Sequence, residues 1–489
     1  MKYKILSLLT GAALMASASA SAAENVLTEA QQQAILKGIG TSVSDITITK
    51  VKSGGVSATA PSAPPQTADG NMPPPMPEGQ PGEGMPGGFH PPQEVTQGTA
   101  ARNITENGRY ENQVFGSTGD NENALRITGA SVILSQIDVD KLAGATSNTE
   151  AGDFYGQNAA LLATDGANVA IENSTVNSSA QNGNGIFSYG KGTSVQIKNT
   201  SITTRNDNSG GIQTTGGGTT NAENLAITTY GNSSAAIRSD RGGGTVIVNK
   251  GTYATFGYGS PAIYSTADIT VKNATLRAAQ SEAAVIEGKN RISLENCTLE
   301  GSMSDTRKMG ENVIHEENVH NIMLYQSMSG DAENGLSTFS MTGGKLISHK
   351  GDVIYVTNTA CTITLDHVSV TSDNPDYCLL RVAGNSASRG WGKAGSNGGK
   401  ADVTLKKETL SGNIVADTVS MLRLSLTDHS VLTGIISITE NAQNGTPTGS
   451  LDVTIDKDSV WNLTGDSTVT TLSNHGRINK NGHTLTVLK

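Results

Sequence analysis

Asparagine returns at one place in a repeating unit, at Asn173, Asn199, Asn224, Asn273 and Asn296, each time with an aliphatic or small residue two positions before it and an aliphatic residue three after. The triples are Ile171/Asn173/Val176, Ile197/Asn199/Ile202, Ala222/Asn224/Ile227, Val271/Asn273/Leu276 and Leu294/Asn296/Leu299, with Val248/Lys250/Tyr253 filling the gap after the third. The steps are 26, 25, 26, 23 and 23 residues. A period of this length marks a solenoid, because one unit cannot bury its apolar face alone and must stack on its neighbours.

Within each unit apolar and polar residues alternate at period two, as in Val169–Glu172 and Val195–Lys198, which is the pattern of strands and not of helices. Gly, Asn, Ser and Thr separate runs rich in β-branched residues. The fold class is therefore all-β, a single-stranded right-handed parallel β-helix. Asparagines stacked at a corner can pass hydrogen bonds from coil to coil and satisfy the polar groups there. Looser matches extend the repeat, upstream at Leu134/Gln136/Val139 and downstream at Met341/Gly343/Leu346, Leu365/His367/Val370, Leu405/Lys407/Leu410, Leu426/Asp428/Val431 and Ile455/Lys457/Val460. About a dozen coils at ~4.8 Å each make a rod roughly 60 Å long.

Residues 1–23 have the layout of a secretory signal peptide: Lys2 and Lys4, an apolar run from Ile5 to Met15, then small residues up to Ala23. Export follows, to the medium, the bacterial cell surface or the periplasm. Apart from this leader no stretch reaches the length of a membrane-spanning helix, and no cysteine follows the apolar run to take a lipid. Residues 24–55 hold a short capped helix, Thr28–Gly38, and a lone strand, Ile46–Val51. Residues 56–98 carry most of the prolines and read as a linker, leaving 99–489 for the β-helix. A formal net charge of −10 argues against nucleic acid as a partner. Cys297, Cys361 and Cys378 are an odd set; a Cys361–Cys378 bridge between adjacent coils stays open.

Over residues 120–489 the strand and turn spacing resembles the right-handed parallel β-helix superfamily of pectate lyases, polygalacturonases and autotransporter passengers. The segment Ser459–Leu472 is similar to the closing coils of adhesin-type passengers, and Gly211–Gly218, Tyr325–Asp331 and Asn385–Gly392 are similar to runs in secreted β-helix proteins of gut bacteria. An autotransporter continues into a translocator barrel, whereas this chain stops at Lys489, so export by the general route is expected.

One position per coil is expected to point outward: Arg126, Leu162, Phe187, Gln213, Arg238, Tyr264, Ile286, Tyr355 and Arg381. Insertions at Lys141–Asn158 and Gly301–His320 leave the coil just before this face and are expected to wall one side of it. Phe187, Arg238, Tyr264, Tyr355 and Arg381, together with Arg389 and Trp391 in the Gly/Ser-rich loop Gly384–Lys400, are the candidate ligand-binding residues, since rings and guanidiniums stack on and fork to sugars. A covered sheet face whose Tyr and Arg merely stack is the competing reading, as is, for Trp391, a loop folded back on the rod.

For catalysis the candidates are Arg238, Asp240, Arg241 and Glu287. In β-helix lyases of the resembled kind an Arg or Lys abstracts a proton beside a uronate carboxyl with Ca²⁺ held by aspartates, and hydrolysis needs grouped carboxylates. The aspartate cluster is missing and the carboxylates are sparse, so a surface ion-pair group is the plainer reading of Arg238, Asp240 and Arg241. His315 and His320 resemble a zincin pair but are one residue too far apart for one helix face. Neither a metal nor a cofactor is expected. The reading is an exported, adhesin-like binding protein for a glycan or host surface, with a polysaccharide lyase or hydrolase as one alternative and a structural rod without ligand as another.

Overall fold

The computed structural model describes residues 95–309, 312–374 and 376–489. The leader, the 24–55 segment and most of the 56–98 linker lie outside the described residues.

The repeat winds into a parallel β-helix. Successive coils each lay one strand on a thirteen-stranded parallel sheet that runs from Thr99–Ile104 to Ile436–Thr439, called the site sheet below. The other two walls are joined into one 22-stranded sheet, because the strands Gly218–Thr229 and Gly244–Thr255 run through the corner between them without a break. Register is strict. Ile171, Ile197, Ala222, Val248, Val271, Leu294 and Met341 are Cα partners in succession, and every one is buried inside the rod. A slip of one residue would turn this whole row to solvent, so the period-two pattern enforces the register. No helix among the described residues is long and apolar enough to cross a membrane.

The asparagine ladder does two jobs. Asn173, Asn199, Asn224, Asn273 and Asn296 all have φ between 47° and 55°, the left-handed region that turns the chain from one wall to the next. Asparagine tolerates this conformation better than other residues with a Cβ. Gln136, Lys250, Gly343, His367, Lys407 and Asp428 adopt it too, which explains why the looser matches align despite sharing no side chain; Lys457 alone of the aligned positions does not. Hydrogen bonding comes second. Asn199 Nδ2 donates to Asn173 Oδ1 at 3.4 Å and Asn224 Nδ2 to Asn199 Oδ1 at 2.8 Å, but where Lys250 interrupts, Asn273 Nδ2 donates to Asn249 Oδ1 at 3.0 Å instead.

A second ladder runs along another corner. The backbone N–H groups of Gly183, Ser209 and Ser234 each donate at 2.9 Å to the hydroxyl of Ser209, Ser234 and Ser260 in the next coil. Thr204, Thr229 and Thr255 close each turn by donating to the carbonyls of the same serines. These hydroxyls satisfy amides that the corner would otherwise leave buried and unpaired.

The three cysteines are free and buried. Cys361 lies in Ala360–Asp366 of the large sheet and Cys378 in Cys378–Val382 of the site sheet, so the bridge left open by the sequence is not formed. Glu408 is a buried carboxylate at the asparagine corner. Its Oε1 accepts from the Val368 N–H at 2.8 Å, and burial pushes its pKa up to about 7.

Candidate functional site

On the outer face of the site sheet the partners in order are Arg126, Leu162, Phe187, Gln213, Arg238, Tyr264, Val285, Met323, Tyr355, Arg381 and Val415. Two corrections follow. Val285, not Ile286, holds the outward position; Ile286 pairs with Ser265 and Leu324 and is fully buried inside. Two adjacent aliphatic residues fit either phase of a period-two pattern, and a one-residue error exchanges the faces. Met323 adds a member that the second insertion concealed in the sequence.

The first insertion covers the face where the sequence reading has it forming a side wall. Its helix, Thr149–Tyr155, starts at Asn148, whose Oδ1 accepts from the N–H groups of Glu150 and Ala151, and ends at Gly156 with φ 78°. The carbonyls of Asp153 and Phe154 accept from Gln213 Nε2 and Thr215 Oγ1, both at 2.6 Å, which moors the helix onto the sheet. A Cβ at Gly156 would come within 2.7 Å of Leu162 Cδ1 and 2.9 Å of Phe187 Cγ. Phe187 is therefore fully buried under the insertion and offers no ring to a ligand, contrary to its candidate role.

Arg238, the centre of the proposed catalytic group, is likewise closed in. Its Nε donates to Asp240 Oδ2 at 2.7 Å and its Nη1 reaches Asp153 Oδ1 of the helix at 3.3 Å. Only 11% of the Arg238 side chain and 7% of that of Asp240 are exposed, so this is a buried ion network and not a surface one. Burial raises the pKa of Asp153 and Asp240 although Arg238 pulls both down. Arg241 binds Asp331 Oδ1 at 2.8 Å and lies 4.2 Å from the centre of the Phe154 ring, tying helix to loop across the sheet. Glu287 is buried and accepts from the hydroxyls of Tyr264, Tyr325 and Ser327. Burial, then the neighbouring Tyr325 and Glu287, hold the Tyr264 phenol well above its usual range. Arg238 thus links Asp240 of the rod to Asp153 of the covering helix, while Glu287 is engaged by Tyr264, Tyr325 and Ser327.

Farther along, the second insertion and the Gly384–Lys400 loop enclose a concave site. The insertion folds as a hairpin, Thr306–Met309 against Asn312–His315, the one antiparallel pair among the described residues. His315 ends a strand and His320 begins the site-sheet strand His320–Tyr325, so the histidines share no helix face. Among the described residues no group of three His, Cys, Asp or Glu side chains is placed to hold a metal ion.

Trp391 folds back: its ring lies 4.8 Å from that of Tyr325, and the Arg389 guanidinium sits 5.1 Å from its centre. Asn397 Nδ2 donates to the carbonyls of Asn385 and Trp391 and fixes the loop. Loop and hairpin are clasped by Glu316, which pairs with Arg389 and accepts from the Tyr258 hydroxyl, and by Glu317, which accepts from the Ser386 N–H and hydroxyl.

Between them lies a pocket of about 300 Å³. Tyr355, Trp391 and Met303 supply apolar wall; Arg307, Arg389, Glu282, Glu316, Glu317, His320 and Asn385 supply polar wall. His320 Nδ1 faces the carbonyl and the side-chain oxygen of Asn318 at 3.1 and 3.0 Å, so it carries a proton, and Nε2 lies 3.6 Å from Glu282 Oε1. Burial acts to raise the Glu282 pKa, but the His320 ring and the Ser281 hydroxyl outweigh it and hold the carboxyl below its usual range.

Of the candidate ligand residues the pocket gathers Tyr355, Arg389 and Trp391. Arg381 is engaged with Asp352 and is not part of it. Arg307 and Glu317 escaped the sequence reading because they lie in the insertion, outside the period, and Glu282 because it sits in the turn before the column strand Ala284–Glu287; the doublet Glu316–Glu317 beside His315 was the only local signal. No family model, curated protein or solved structure matches the chain.

Proposed function

We propose that the protein binds glycan through the pocket between the hairpin and the Trp391 loop, as an exported, adhesin-like member of the pectate-lyase-like β-helix superfamily. The observation that carries this reading is the pocket itself, a preformed hollow in which aromatic edges adjoin hydrogen-bonding side chains. Small-molecule sites have this composition, and sugars present both apolar CH faces and hydroxyls to such walls. The walls are already tied by Glu316 and Glu317, so a ligand need not spend binding energy on ordering them.

A glycan array probed with the purified protein tests it. Trp391→Ala is expected to weaken the bound hits by roughly tenfold, worth ~1.4 kcal/mol, and Ser388→Trp, at the exposed rim, to abolish them. Binding to no glycan, or binding unchanged in the Ser388→Trp variant, overturns the proposal. One observation favours a second reading: Glu282, Glu316 and Glu317 put three carboxylates on one pocket, where glycoside hydrolysis needs a pair. New reducing or unsaturated ends after incubation with the bound glycans would move the assignment to the enzyme.

A further inference from the structure

Away from the pocket, one corner of the rod exposes aromatic rings. Arg205, Tyr230, Phe256, Ala279 and Ser302 occupy the same place in five successive coils, as the chain of backbone hydrogen bonds Tyr230 N to Thr204 O, Phe256 N to Thr229 O, Ala279 N to Thr255 O and Ser302 N to Ala278 O shows. The rings of Tyr230 and Phe256 stack at 5.3 Å and 16°, and they stay 38% and 40% exposed. The Arg205 guanidinium lies 5.5 Å from the centre of the Tyr230 ring. In the next coil the equivalent position is the small Ala279, and one coil beyond it Ser302 precedes Met303, a pocket residue.

Adjacent exposed rings flanked by a guanidinium offer a stacking surface of the kind sugars use. This pair lies two to three coils from Ser302, the neighbour of pocket residue Met303, a distance of roughly 10–14 Å at ~4.8 Å per coil. Between them Ala279 and Ser302 are small, and the exposed Gln280 donates to the Phe256 carbonyl at 3.0 Å, a polar group on the path of a ligand. Beside it Ser281 leads to Glu282 on the pocket wall.

We infer that Tyr230 and Phe256, with Arg205, form an outer subsite for the same glycan, so that an oligosaccharide seated in the pocket extends along this corner and lies over the two rings. The inference rests on the pocket reading and adds the ligand class: a chain several sugars long, not a terminal monosaccharide. It runs along the rod, as the groove expected on the site sheet does, but on another corner, away from the part of that sheet covered by the helix.

The test is titration with size series of cello-, manno-, xylo- and galacturono-oligosaccharides, from dimers to octamers, against the full protein and the double variant Tyr230→Ser/Phe256→Ser. Both positions are half exposed, so the fold tolerates the change. For the series that binds, the parent is expected to gain roughly tenfold or more in affinity with length. The variant should keep the affinity for the shortest chains and lose that gain. The same length dependence in parent and variant, or none in the parent, overturns this inference alone. Binding of none of these series and of no glycan on the array overturns the pocket reading and this one with it.

Discussion

Arg238→Ala destabilises the protein by about 3–5 kcal/mol, the cost of breaking a buried ion pair from one side. The guanidinium stands between Asp240 of its own coil and Asp153 of the covering helix, and removal leaves two buried carboxylates facing each other. Hydrogen exchange should accelerate in Thr149–Tyr155 as well as in the strand Ile237–Ser239, because the helix loses a mooring.

The deficit has a pH signature. Asp153 and Asp240 have folded pKa values raised above the ordinary 3.8, so the folded state keeps protons that the unfolded state releases. Stability from these groups is complete below that value and is lost as pH rises through their folded pKa. Without Arg238 the raised values climb further, so the variant's deficit is largest near neutral pH and shrinks on acidification. Denaturant unfolding of both proteins across that range checks it. A deficit under 1 kcal/mol, or one that grows in acid, would show that the group is solvated and available for chemistry after all.

The second large effect sits near the carboxyl end of the stack. Trp461 is fully buried, pairs in register with Leu432 and Ile478, and donates from Nε1 to the Gly434 carbonyl at 3.0 Å. Trp461→Ala is expected to cost about 3–5 kcal/mol, from the cavity and the lost transfer of the ring. The unpaired Gly434 carbonyl adds to this. Solenoid stability is a sum of neighbour interfaces, so the loss should fall on the last coils, with early exchange from Val431 onward while the coils around Ile171 stay protected. Exchange that rises evenly along the rod would instead mark a single cooperative unit.

The fold was readable because its signals are local and repeated. Asparagine marked the left-handed corner, and alternation marked the walls. The serine corner was equally periodic, with Thr204/Ser209, Thr229/Ser234 and Thr255/Ser260 at one spacing, but hydroxyl residues are common in every turn and the pattern did not stand out. The site was less legible for a physical reason. Periodicity places a residue on a face without saying what covers that face, and helix Thr149–Tyr155 is an insertion outside the period. Phe187 and Arg238 were correctly put on the outer column, yet both lie beneath that cover. Pocket residues Glu316 and Glu317 meet Arg389 and Ser386 only through tertiary contact between the second insertion and the Gly384–Lys400 loop, which no spacing in the chain encodes.

The stacking of the coils in register can be measured by paired cysteines on the solvent side of the large sheet. Gln196 and Asn221 are direct partners in adjacent coils, whereas Glu223 lies two residues further along the second strand. Partner strands are ~4.8 Å apart and the diagonal is ~7–8 Å, and a disulfide needs Cα atoms within about 4.4–6.8 Å. The account predicts that Gln196→Cys/Asn221→Cys oxidises to an intramolecular bridge under mild conditions and that Gln196→Cys/Glu223→Cys does not. Equal bridging in the two variants, or bridging only in the second, would contradict it.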